Sequence, residues 1–187
     1  MASVRNILFI MCDQLRRDYL GCYGNPALRT PTIDDHLGRL MAERDALGRR
    51  EDTLIVFTSD HGDLLGDHWL GEKEMFQEPS AGVPLIIVDP QAARPATVDD
   101  APVQAIDLLP TILDVLGHPT RAQWLEGHSL LPAMRSEVSL PAGSAVSELD
   151  YAFYDARGAL KVDVNRANAV MNCAHRWKLI RYVGFAN

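Results

Sequence analysis

Two short apolar runs in this chain each end in residues able to hold a metal ion. Asn6-Ile7-Leu8-Phe9-Ile10-Met11 leads into Cys12-Asp13-Gln14, and Thr53-Leu54-Ile55-Val56-Phe57 leads into Thr58-Ser59-Asp60-His61-Gly62. If both runs are buried strands, their hard oxygen and nitrogen donors point to one metal site at the carboxyl edge of a parallel sheet. Open α/β folds place their ligands at that edge. On spacing alone each element also fits a blander reading. Asp13 and Gln14 serve equally as turn formers, and Asp60-His61-Gly62 as a strand-to-turn corner with a surface histidine.

The elements that must position these residues follow from periodicity. Asn6 to Met11 is continuously apolar, the pattern of a strand buried on both faces. Residues 13–31 are turn-rich. A helix is expected from Asp34 or Asp35, with Leu37, Leu40, Met41 and Leu47 on one side and Gly48-Arg49-Arg50 at its carboxyl end. The strand Thr53 to Thr58 follows, then a third buried run, Val83 to Val88, closed by Asp89-Pro90. Residues 91–102 read as an Ala/Pro/Asp-rich surface loop. Asp107 is placed to cap a helix through Leu116, stopped by Gly117. A short helix is expected over Glu126 to Met134, and beyond Pro141 only Trp177 to Tyr182 reads as a strand.

Composition narrows the function classes. At 187 residues the chain is long enough for a real core, and 47% apolar with 23% charged residues is a soluble globular composition. A formal charge of -7 argues against nucleic acid as a partner. Cys12, Cys22 and Cys173 have no ligand spacing, so neither a disulfide framework nor structural zinc is expected. The N-terminal apolar run is too short for a signal peptide or a membrane span, which makes a cytoplasmic setting without membrane contact the default.

With these residues in view, the chain resembles the sulfatase and phosphonate monoester hydrolase branch of the alkaline phosphatase superfamily. The first matching block runs from Asn6 to Gly24 and on through Thr30-Pro31-Thr32-Ile33-Asp34. The second runs from Asp35-His36-Leu37-Gly38-Arg39-Leu40 through Asp60-His61-Gly62 to Gly71-Glu72-Lys73. The third links Val83-Pro84-Leu85-Ile86-Ile87, Ile106-Asp107-Leu108-Leu109-Pro110-Thr111 and Glu126-Gly127-His128-Ser129-Leu130. Gln14, where many sulfatases carry a second aspartate, is similar to the phosphonate monoester hydrolase side. The resemblance implies an α/β fold built on a remnant of a mostly parallel central sheet flanked by helices. It implies one divalent cation held by Asp13, Gln14, Asp60 and His61, with Lys73 reaching the charged oxygens or leaving group of a small anionic ester. Carboxylate and amide oxygens with one imidazole suit manganese or calcium, then magnesium, better than zinc or copper.

One departure is large. In the family a long stretch separates the Thr-Pro-x-x-Asp element from the Asp-Asp-His-Leu-Gly-Arg helix and carries the nucleophile. That nucleophile is a Cys or Ser in a Cys-x-Pro-x-Arg setting, and the Cys is usually oxidised to formylglycine. Here Asp34 runs straight into Asp35, and none of the three cysteines is followed by x-Pro-x-Arg; Gly117-His118-Pro119-Thr120-Arg121 fits the frame only with glycine and in the wrong block. The expectation is therefore a partial sulfatase-type domain over 1–140, its interior missing near 34–35, and a truncated C-terminal region over 141–187. Family members continue past Tyr182-Val183-Gly184-Phe185. A sulfate or phosphonate/phosphate ester hydrolase is expected by lineage, inactive or impaired as this chain; the alternative is a non-catalytic metal- or partner-binding remnant. Uncovered apolar faces would favour association, including a homo-oligomer. Around the site, Asp67 and His68 read as structural, Asp63 as a solvated group or one behind the metal, Cys12 as a small hydrophobe, and His175, Arg176 and Lys178 as a polar strand edge.

Overall fold

The computed structural model describes residues 4–27, 30–73, 75–93, 95–118, 124–136, 139–140, 143–151 and 155–183. Pro119 to Arg121, Pro141, Gly184 and Phe185 lie outside them. The chain divides into two compact units, Met1–Pro95 with Met134–Ser136, and Ala96–Ala133 with Glu137–Asn187. The sequence-based division at 140/141 differs, and the bonding of residues 96–133 shows why. The Asp99 carboxylate accepts from the Leu140 N–H at 3.0 Å, and the Gln104 side chain accepts from the Val146 N–H at 2.8 Å.

The first unit is built on strands β1 (Asn6–Cys12), β2 (Thr53–Ser59) and β3 (Leu85–Val88), in that spatial order. β1 and β2 run parallel, from Asn6 opposite Thr53 to Cys12 opposite Ser59, while β3 is antiparallel to β2. β2 is buried along its whole length and forms the core with Leu20, Leu64 and Phe76. Its branched residues suit a strand packed on both faces. β1 departs from the sequence expectation. It lies at the sheet edge, and Phe9 and Met11, two apart and so on one face, are 43% and 60% exposed.

Helix α1 (Pro31–Ala46) begins earlier than expected because Pro31 takes the first helical position, where its missing N–H costs nothing. The Asp34–Asp35 junction therefore lies inside one continuous helix, with the Asp34 N–H donating to Thr30 O at 2.9 Å. Gly48, at φ 65°, follows the C-cap Leu47 as expected. The apolar edge expected to face a core is uncovered, since no α1 residue is buried and Leu40 and Leu47 are exposed.

Helix α2 is the single turn Glu78–Ala81. At the end of β3, the fully buried Asp89 carboxylate is held by Arg135 in a bidentate pair, with Nε at 2.6 Å and Nη2 at 3.2 Å. Replacing Arg135 by methionine strands that carboxylate. A loss of about 2–3 kcal/mol in urea unfolding is expected, below the range for a fully buried pair because Arg135 keeps some solvent contact. An unchanged midpoint would contradict this.

In the second unit, helix α3 (Leu108–Val115) lies where the sequence places it, but Asp107 caps differently. Asp107 has helical dihedrals, and its carboxylate accepts from the Gln104 N–H and from the His128 N–H, both at 2.8 Å. Those bonds also correct the expected helix over 126–134. The His128 and Leu130 N–H groups are spent on Asp107 and Thr111 Oγ1, so only α4 (Leu131–Arg135), whose last two residues are counted with the first unit, is helical. Gly127 is pressed on Ile106, whose carbonyl oxygen would stand 2.1 Å from an added Cβ. The remaining elements are β4 (Ser144–Asp150), α5 (Asp155–Leu160), β5 (Asn168–Ala174) and β6 (Trp177–Tyr182), with the strands in one antiparallel sheet. Of these only β6 was predicted. His175 and Arg176 form the turn between β5 and β6, and Lys178 lies on β6. Among the described residues no helix is long and apolar enough to cross a membrane.

Candidate metal centre

The parallel register of β1 and β2 brings the candidate ligands together. The two strands end side by side at Cys12 and Ser59, so the next residues, Asp13 and Asp60, emerge as neighbours about one strand spacing apart, roughly 5 Å. One ligand atom each from Asp13, Asp60 and His61 lies within 4.8 Å of the others, and no second such group occurs among the described residues. His61 Nε2 is 3.7 Å from Asp13 Oδ1 and 3.5 Å from Asp60 Oδ2.

Hydrogen bonds fix which atoms face inward. The His61 Nδ1–H donates to Gly62 O at 2.7 Å, which assigns the lone pair to Nε2, and Lys73 Nζ donates to it at 3.0 Å. Asp60 Oδ1 accepts from the His61 N–H at 2.7 Å and the Gln14 N–H at 3.2 Å, leaving Oδ2 for a ligand. Burial pushes this carboxyl up, but those two N–H groups outweigh it and hold it below the usual range. Gln14 gives its backbone N–H to this carboxylate from φ 60°, a region few non-glycine residues occupy. Burial raises the Cys12 thiol, against a thiolate nucleophile there.

The sulfatase family model matches residues 32–118, a span holding Asp60, His61 and Lys73 but not Asp13 or Gln14. The multifunctional alkaline phosphatase superfamily protein PehA of Trinickia caryophylli is 46% identical over 101 residues, 54% of this chain and 20% of that protein. Arylsulfatase K of Danio rerio is 36% identical over 154 residues, 82% of this chain and 28% of that protein. The solved phosphonate monoester hydrolase SpPMH from Silicibacter pomeroyi superposes with a TM-score of 0.69 at 31% identity, over 80% of this chain and 30% of that one. This chain belongs to the sulfatase family. It spans less than a third of the length of these relatives, as a fragmentary member would, and the α/β class expected from the sequence holds.

In this sulfatase-family chain several supporting residues escaped the sequence reading. Arg16, 6% exposed, donates to both Asp18 oxygens, to Asp67 Oδ2 at 2.8 Å and to the Leu64 carbonyl at 3.3 Å, and lies over the Tyr19 ring. It ties the turn after β1 to the loop after β2 and gives Asp67 the structural role expected of it. Its guanidinium lowers the Asp18 carboxyl. Ser80 donates to Lys73 O and accepts from the Gly62 N–H, coupling the lysine loop to the β2 end. The solvated reading of Asp63 fails: it is buried, and its carboxylate accepts from the Leu65 N–H at 2.7 Å as a turn former. The loop it starts carries positive φ at Leu65, His68, Trp69, Glu72 and Met75, strain that no residue type announced.

Proposed function

We propose that Asp13, Gln14, Asp60 and His61 hold one divalent cation of the manganese or calcium type, as part of a sulfate- or phosphonate-ester hydrolase site. The observation that carries this is the convergence of three ligand atoms within 4.8 Å at the joined ends of two parallel strands. The donor set fits such an ion: two carboxylates, one neutral imidazole with its lone pair inward and no thiolate. When bound, the cation would polarise the ester's non-bridging oxygens. Lys73, now bonded to His61, supplies a positive group for the charged oxygens or the leaving group. It shares the Nε2 lone pair with any incoming cation, so the two compete for that atom. The names of the relatives support ester hydrolysis as the family's chemistry.

The sequence contains no Cys or Ser followed by x-Pro-x-Arg. Without a nucleophile that acts as a unit with its partners, little chemistry beyond binding is left. The chain is accordingly read as a binder of cation and small anion that does not turn over by itself. Calorimetric titration with Mn2+ and Ca2+, beside assays with aryl sulfate and aryl phosphonate esters, tests both halves. Stoichiometric binding without turnover is expected. Absence of binding would remove the site, and turnover above background would remove the claim of inactivity.

A further inference from the structure

The two ligand pairs sit on separate turns, and one buried hydroxyl bonds to both. Ser59, 5% exposed, is the last residue of β2 and lies opposite Cys12, the last of β1. Its Oγ accepts from the Leu15 N–H at 2.9 Å, just beyond Gln14. Its proton has three acceptors, His61 O at 2.8 Å and Cys12 O at 2.9 Å, one on each turn, and at longer range Asp60 Oδ1 at 3.5 Å. The backbone adds a parallel tie, from the Asp60 N–H to Cys12 O at 3.2 Å. Asp13-Gln14 is thus bracketed by Cys12 O and Leu15 N–H, and Asp60-His61 by Ser59 itself and His61 O.

We propose that Ser59 is a positioning residue that pre-sets the distance between the Asp13-Gln14 turn and the Asp60-His61 turn, so that their ligand atoms converge before any cation arrives. This rests on the metal reading above. Ser59 ligates nothing itself, because its oxygen is used within the two turns. Groups that orient ligands in this way typically change metal affinity by about 10- to 100-fold when removed.

Neighbouring Thr58 provides the control. It is also buried at the end of β2, but its hydroxyl donates to Pro84 O at 2.8 Å, on the approach to β3, with only a longer contact of 3.4 Å to the Ser59 carbonyl. The test compares the full-length wild type, Ser59→Ala and Thr58→Val by Mn2+ calorimetry, Tb3+ luminescence lifetime and urea unfolding. Both variants are expected to lose some stability. Only Ser59→Ala should weaken Mn2+ by about 10-fold or more and shorten the Tb3+ lifetime, as water replaces a misplaced ligand. Equal affinity losses in the two variants, or none in Ser59→Ala, would overturn the proposal while leaving the metal site standing. A wild type that binds no cation would overturn both. Should Ser59→Ala not fold, amide exchange of the unsubstituted protein without metal decides. Leu15 N–H should be protected as a bonded strand amide is, and free exchange there would show that the bridge does not exist.

Discussion

Exchange of Asp60 for asparagine is expected to weaken Mn2+ or Ca2+ binding by on the order of 100-fold or more. The reason lies in how its two oxygens are used. Oδ1 accepts from the His61 and Gln14 N–H groups, so an asparagine must keep its carbonyl oxygen there. The amide NH2 is then turned toward Asp13 and His61, where it presents hydrogens to an incoming cation. The fold should survive, since both backbone bonds remain. Calorimetry on the variant and the parent would settle it, and equal affinities would show that the cation binds elsewhere or not at all.

Gly62→Ala should be the most damaging single substitution in this region, although it adds only a methyl group. An ideal Cβ at Gly62 would stand 1.9 Å from the Pro79 carbonyl oxygen, which is backbone and cannot rotate away. Relief requires separating the end of β2 from α2, and this breaks the Gly62 N–H to Ser80 O bond at 2.8 Å. Ser80 also holds the Lys73 carbonyl, and Gly62 O holds the His61 ring, so both move with it. A loss of about 3 kcal/mol in unfolding is expected, at the upper end for overpacking, together with weaker cation binding. A variant as stable as the parent would mean that the Gly62–Pro79 approach is looser than described.

The convergence of Asp13, Asp60 and His61 was readable because two apolar runs end in these residues, and the family resemblance set their order. Helix α1 was readable through Pro31 and Gly48, whose backbone preferences are local. Burial was less legible. A continuous apolar run such as Asn6 to Met11 signals a strand but does not say how many neighbours that strand has. The C-terminal sheet escaped because β4, Ser144–Asp150, alternates weakly, with small and polar side chains in place of branched ones. The helix expected over 126–134 starts only at Leu131, for another reason. Its N–H groups are claimed by Asp107 and Thr111, roughly twenty residues away, and periodicity carries no record of such partners. Ser59 and Arg16 escape for the same reason, as the bonds by which they bridge the two turns cross 44 to 51 positions.

The parallel pairing of β1 with β2 has an evolutionary corollary. Parallel neighbours are joined by an excursion away from the sheet, here residues 13–52, and strand register is indifferent to that excursion's length. Closing a longer loop adds only about 0.6 kcal/mol per doubling. The Asp34–Asp35 junction lies within this excursion, so a change of length there leaves the mutual spacing of Asp13, Asp60 and His61 intact. A lineage could in this way lose or gain a whole segment in one event and still keep Asp13, Asp60 and His61 side by side.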